Sequence, residues 1–165
     1  MKSDIREEKF LERVMDDQKI IHKVCGMYCD NEEDRKDLFQ EMLVNLWKSY
    51  PSFRGDAKFT TWMYRVCLNV AFQQLRKRDK SREYTTSPGD FDRMRMPGKE
   101  ELPENELNLL YKAIAQLSEI EKAIVMLYLE AKGNEEISEI IGISQNNVRV
   151  RMTRIRKKLK KIVEE

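Results

Sequence analysis

The chain has a single histidine, His22, among 165 residues, with no nucleophile–base set and no phosphate-binding loop to accompany it. Enzymatic readings therefore have no support, and neither catalysis nor a cofactor is expected. Cysteine is scarce as well: Cys25, Cys29 and Cys67 are odd in number and do not make a disulfide framework. His22, Cys25 and Cys29 share one helical face, but a zinc site needs four ligands or an open catalytic position. Only Asp30 or the distant Cys67 could complete such a set, so free thiols and no metal are expected. No apolar run approaches the roughly 20 residues of a membrane span, and with 36% of residues charged a membrane protein is disfavoured. Residues 1–12 are charged and lack the apolar core of a signal peptide, so a cytoplasmic protein is expected. A large net charge is also missing: +2 by itself says nothing about nucleic acid.

The distribution of charge says more. Acids crowd the first part (Asp4, Glu7, Glu8, Glu12, Asp16, Asp17, Glu32, Glu33, Asp34), while bases crowd residues 76–82 and 149–161. That polarity predicts two DNA-facing surfaces and one protein-facing surface. The most informative stretch is residues 134–161. Ile137, Ile140 and Ile141 form one face of a short helix over residues 135–141. Asn134 is the expected N-cap, and Gly142 supplies a positive φ for a tight turn. Ser144 then caps a second helix, from Gln145 to about Val163, with the apolar stripe Val148, Met152, Ile155, Leu159 and Ile162. Its other face carries Gln145, Asn146, Arg149, Arg151, Arg154, Arg156 and Lys157. A helix, a glycine turn and a basic second helix make a helix-turn-helix, whose long polar side chains suit a major groove.

Earlier in the chain, residues 9–29 read as one helix with Phe10, Val14, Ile20, Ile21, Val24 and Tyr28 on a broad apolar face. A helix over residues 33–50 buries Phe39, Met42, Leu43, Leu46 and Tyr50, with Asp37, Gln40, Glu41, Val44 and Lys48 opposite. Pro51 ends it, and the SFRGDAK segment, 52–58, is a loop centred on Gly55. Thr60 or Thr61 caps the next helix, from Trp62 to about Lys80. There Met63, Val66, Cys67, Val70 and Gln74 lie on one side and Arg65, Asn69, Gln73 and Arg76 on another, running into Arg76, Lys77 and Arg78. A glycine loop, aromatics and a polar helix face beside a basic cluster can hold an unstacked single strand. Taken by themselves, Phe59 and Trp62 more often belong to a core. Residues 82–104 hold Ser87, Pro88, Gly89, Pro97, Gly98 and Pro103 without a sustained period. They read as a linker able to span roughly 70 Å when extended, and Phe91, Met94 and Met96 are candidates to dock on a partner. Residues 104–116 are helical, with Leu107, Leu110, Ile114 and Leu117 at helical spacing. Ser118 and Glu121 form a capping-box pattern before a helix that buries Ile124, Val125, Leu127, Tyr128 and Leu129 in some combination and ends at Lys132 and Gly133.

The expected fold is all-α: an N-terminal helical domain (1–81), a flexible linker (82–104) and a C-terminal helix-turn-helix domain (105–165). Two separated stretches, 37–78 and 117–159, resemble the bacterial RNA polymerase sigma factors of the extracytoplasmic-function (ECF) type. The residues carrying the resemblance are Phe53, Arg54, Gly55 and Asp56 with Thr61, Trp62 and Asn69, then Glu136, Ile137, Gly142, Ser144, Val148, Arg154 and Leu159. The resemblance implies that Asp37, Gln40 and Glu41 dock on the clamp helices of the largest subunit of core RNA polymerase. It implies that Phe53, Arg54, Gly55, Asp56 and Lys58 help to hold a flipped base of the minus-ten element. Trp62, Arg65 and Asn69 would line the helix behind that loop, and Arg76, Lys77 and Arg78 would meet the DNA backbone. Gln145, Asn146, Asn147, Arg149, Arg151 and Arg154 would form the recognition helix for the minus-thirty-five element of promoter DNA. The linker would thread through the polymerase, and the family is often held inactive by an anti-sigma factor. Ser138 and Gln73 depart from the pattern, standing where alanine and a charged residue are common. A stand-alone helix-turn-helix repressor and a protein-only helical adaptor are the other readings. The Trp62/Asn69 block and the unsymmetrical two-domain layout disfavour both.

Overall fold

The computed structural model describes residues 2–82 and 106–164 and holds eight α-helices and no strand among them. Two compact units divide the chain, Met1–Ser81 and Arg82–Glu165. The expected linker, with Phe91, Met94 and Met96, lies outside the described residues, except for Arg82, which closes a helix. The side chain of Leu107 also lies outside them.

In the first unit, α1 (Lys2–Asp16) and α2 (Gln18–Tyr28) replace the single helix expected over 9–29. Phe10 and Val14 are one turn apart, and Ile21 follows two turns beyond Val14 on the same face. The chain breaks at Asp17 (φ −111°, ψ 18°), and both apolar faces then point inward. In α3 (Glu32–Ser49) the Asn31 side chain caps the helix by accepting the Asp34 N–H at 2.8 Å. Three acids in its first turn suit the positive end of the helix dipole. Its fully buried residues are Leu38, Met42 and Leu46. Phe39, Leu43 and Tyr50 are only half-buried, because the ridge facing the core runs through Leu38, a residue outside the expected stripe. A 3-10 turn, Tyr50–Ser52, follows, with Pro51 at its start. Helix α4 runs Phe59–Arg82. It begins before Thr60 and Thr61, so neither is the cap; Thr61 is buried inside the first turn. Met63, Tyr64, Cys67, Leu68, Val70 and Ala71 are buried along one broad face of α4, and Arg65, Asn69, Gln73 and Arg76 opposite them are exposed.

Cys25, Cys29 and Cys67 are free and buried. Burial pushes the Cys25 thiol up to about 12, helped by the neighbouring Cys29, and burial likewise raises Cys29 and Cys67. Such thiols behave as small apolar groups rather than nucleophiles; Cys25 Sγ lies 3.7 Å from Met42 Sδ. His22 is exposed and stacks on Phe39, with ring centroids 4.9 Å apart.

The second unit comprises α5 (Glu106–Ala115), α6 (Glu119–Leu129), α7 (Asn134–Ile141) and α8 (Gln145–Glu164). Its core holds Ile114, Ile124, Leu127, Ile137, Val148 and Ile155. The Ser118–Glu121 capping box is fully formed at the start of α6. Met126 is buried, whereas Tyr128 and Leu129 are exposed. Helix α6 ends at Leu129 and not at Lys132: Ala131 takes a positive φ of 61°, and the Lys132 N–H reaches back to the Leu127 carbonyl at 3.0 Å. The cap of α7 is Gly133, without a side-chain bond, and Asn134 is the first helical residue. The expected Asn134 cap is thus displaced by one position.

Candidate nucleic-acid interface

In the second unit, α7 and α8 meet through a turn at Gly142, which sits in the left-handed region (φ 84°, ψ 32°). Its N–H donates to the Ser138 carbonyl at 2.9 Å, and the Ser138 hydroxyl donates to the Ile143 carbonyl. That bond explains a serine at a position where the chain comes close to itself. Ser144 accepts the Asn147 N–H at 3.1 Å and starts α8. Val148 and Ile155 are fully buried, with Met152, Leu159 and Ile162 half-buried along the same stripe. Gln145, Asn146, Arg149 and Arg154 therefore face solvent. Asn147 and Arg151 lie differently: both are half-buried, and the Arg151 Nε donates to Asn147 Oδ1 at 3.1 Å. The expected arginines thus divide into two outward ones, Arg149 and Arg154, and one held along the packed edge. Further along, the Arg156 guanidinium lies 5.5 Å from the Tyr128 ring centroid. Lys158 Nζ bonds both Glu121 oxygens, at 2.9 and 3.1 Å, tying α8 to α6. Burial works to raise the Glu121 carboxyl, but hydrogen bonds from Lys158 and Ser118 outweigh it and hold the group below its ordinary value.

In the first unit, the loop between the 3-10 turn and α4 bends at Gly55 (φ 83°). Arg54, Gly55, Asp56 and Lys58 are exposed. Phe53, Phe59 and Trp62 are neither core nor free. They pack on one another with centroids 5.3–5.6 Å apart, each half-buried. Two arginines of α1, not expected from the sequence, join them. The Arg13 guanidinium lies 5.1 Å from the Phe59 centroid and 5.9 Å from that of Phe53, and Arg6 lies 6.0 Å from that of Tyr50. An open depression of about 600 Å³ is lined by Arg6, Arg13, Tyr50, Pro51, Phe53, Arg54 and Gly55. The signal for Arg6 and Arg13 was their spacing of two helical turns, hidden within the acidic N-terminal segment. Cations over aromatic rings beside a glycine bend can accept a base and its phosphate.

On α4, Arg65 and Asn69 are exposed one turn apart. Arg76 and Lys77 are exposed, while Arg78 pairs with Asp34 of α3 at 3.2 Å. On α3, Asp37 and Gln40 are exposed. Glu41 is half-buried and accepts a 2.6 Å bond from Gln74 Nε2, which accounts for a polar Gln74 on the packed side of α4. Among the described residues no group of His, Cys, Asp and Glu could hold a metal ion, and no helix is long and apolar enough to cross a membrane.

Apart from Arg6 and Arg13, the residues of the two surfaces fall within two family matches. Residues 14–81 match the model of sigma-70 region 2, and residues 107–159 match that of sigma-70 region 4. The ECF RNA polymerase sigma factor SigW of Bacillus subtilis is 25% identical over 152 residues, covering 86% of this chain and 81% of that protein. The ECF RNA polymerase sigma-E factor of Haemophilus influenzae is 28% identical over 148 residues, covering 82% and 78%. Among solved structures, the sigma factor RpoE of Bartonella quintana, crystallised with the anti-sigma factor NepR, shares the fold. Its TM-score is 0.76 at 19% identity, covering 95% of this chain and 98% of that one.

Proposed function

The chain belongs to the ECF type of bacterial RNA polymerase sigma factor, and on that premise we propose that its two units divide promoter recognition from promoter opening. As a member of that family it is a factor for promoter-directed transcription. In the proposal, α8 enters the major groove of the minus-thirty-five element, and Arg149 and Arg154 reach base edges or phosphates from its outer face. The loop at 53–58 and the depression beside it take up an extruded base of the minus-ten element. Arg65 and Asn69 face the same strand, and Asn69 brings both a donor and an acceptor to a base edge. Extruding a base costs a few kcal/mol of stacking and pairing. Binding only the extruded form shifts the population toward the open duplex, so no chemical step by this chain is required.

Asp37 and Gln40 on the exposed face of α3 are the proposed contacts to the clamp helices of core polymerase. Glu41 contributes there through the oxygen that Gln74 leaves unoccupied. An anti-sigma partner fits the same reading, since a solved relative of this fold is a complex with such a protein. The observation that carries the proposal is the arginine-faced aromatic cluster beside the Gly55 bend. A duplex-binding repressor has no use for such a cluster. The test is to add the protein to core polymerase and map transcripts. Starts fixed at defined sites that depend on the protein are expected; initiation that the protein does not alter would overturn the proposal.

A further inference from the structure

On α8, the residues diametrically opposite the buried Val148 and Ile155 are Asn146, Val150, Thr153 and Lys157, spaced four, three and four apart along one line. All four are exposed. Two of them are not what a solvated basic helix puts at its outermost line. Val150 is 41% exposed, an apolar side chain between Asn146 and the flanking Arg149 and Arg154. Thr153 donates its hydroxyl to the Arg149 carbonyl at 3.0 Å, back along its own helix. The polar end of Thr153 is thus engaged, and its methyl group is the part left for an outside partner. Val150 and Thr153 are three apart and so adjoin on the helix surface, making a small methyl patch in the second and third turns of α8.

We propose that this patch reads thymine in duplex DNA, through the C5-methyl group that thymine displays in the major groove. The inference rests on the reading of α8 as the duplex-reading helix and deepens it by naming the base. The choice of partner follows from what surrounds the patch. Arg149, Arg151, Arg154, Arg156, Lys157, Lys158, Lys160 and Lys161 give α8 eight bases, and its only acid is the terminal Glu164. A polyanion is the partner that such a helix admits, and within a polyanionic duplex the thymine methyl is the apolar group exposed in the groove. Arginines supply phosphate contacts and guanine contacts, but neither distinguishes thymine from uracil. A methyl patch does.

The experiment uses the full chain assembled with core polymerase and promoter duplexes selected by that complex from a pool randomised upstream of the start site. Each thymine in the selected upstream block is replaced singly by deoxyuridine, which removes the methyl group and leaves pairing unchanged. At one or two adjacent positions the replacement is expected to weaken binding about threefold to tenfold, the worth of a buried methyl contact or two. Thr153→Ser removes a methyl while keeping the hydroxyl bond to Arg149, and Val150→Ala shortens an exposed side chain without creating a cavity. Each variant is expected to lose part of the sensitivity to deoxyuridine at its own position, with the remaining positions unaffected. A selected block lacking thymine, or uracil replacements without effect on the wild-type protein while scrambling the block abolishes binding, overturns the methyl reading and leaves α8 as the reader. Equal loss at a given uracil in wild-type and variant proteins also overturns it. Indifference to scrambling would instead remove the recognition-helix reading itself.

Discussion

Gly142→Ala isolates the contribution of one backbone conformation to the helix-turn-helix. Gly142 adopts φ +84°, and a Cβ built there meets no atom within 4 Å. No steric collision with neighbours enters, so the cost is that of the left-handed conformation itself, about 1–2 kcal/mol for a residue with a side chain. Against it stands the reduced freedom of the unfolded chain, about 0.4–1 kcal/mol in favour of alanine. The net loss is about 1 kcal/mol, which for a unit of this size corresponds to roughly 4–8 °C in Tm. The two tryptophans, Trp47 and Trp62, both belong to the first unit. Thermal unfolding followed by far-ultraviolet circular dichroism should therefore gain an earlier component, while the tryptophan emission midpoint stays in place. A circular dichroism profile identical to that of the wild type would refute the argument, since it would mean that the turn does not need the left-handed region.

Gly133→Ser should have the opposite sign. Gly133 sits at an ordinary φ of −76° at the start of α7 with no side-chain cap, so a serine cap and a stiffer unfolded chain should stabilise the unit by about 0.5–1 kcal/mol in a denaturant titration. Glu121→Gln tests a pH effect. The Glu121 carboxyl is held below its ordinary 4.5 in the folded protein, so its stabilisation is present above about pH 4.5 and is lost as pH falls through the lower folded-state value. Because Lys158 is 57% exposed, the effect is about 1 kcal/mol or less; Tm measured against pH should show the wild-type advantage at neutral pH and its disappearance in acid. Asp37→Arg should weaken core polymerase binding at least about tenfold in a pull-down series with the circular dichroism spectrum unchanged. It is a cleaner probe than reversal at Glu41, which would also break the bond to Gln74.

The C-terminal unit was largely legible because its signals are local. The Ser118–Glu121 box, the Gly142 turn, the Ser144 cap and the Val148–Ile155 stripe each occupy a few consecutive residues, and each is present as read. What escaped depended on partners distant in sequence. The break at Asp17 stands where there is neither glycine nor proline, so no local breaker residue announces it. Leu38 is buried and Phe39 is not, because the facing helices choose between neighbouring ridges of α3. Arg6 and Arg13 reach the aromatic cluster only once α1 lies beside the 53–58 loop. Arg151 looked equivalent to Arg149 in the sequence, and only the packing of α8 separates the arginine held by Asn147 from the one facing outward.

If recognition and opening reside in different units, a paired footprint on one promoter separates them. Holoenzymes carrying Arg149→Ala or Asn69→Ala are bound to one promoter, with occupancy read by DNase protection and opening by permanganate reactivity of unpaired thymines. Arg149→Ala is expected to lower occupancy by about 1–3 kcal/mol while leaving opening per bound complex unchanged. Asn69→Ala, with its exposed side chain on α4, is expected to keep occupancy and Tm and to lose opening. Parallel loss of occupancy and opening in both variants, or normal opening with Asn69→Ala, would contradict the division.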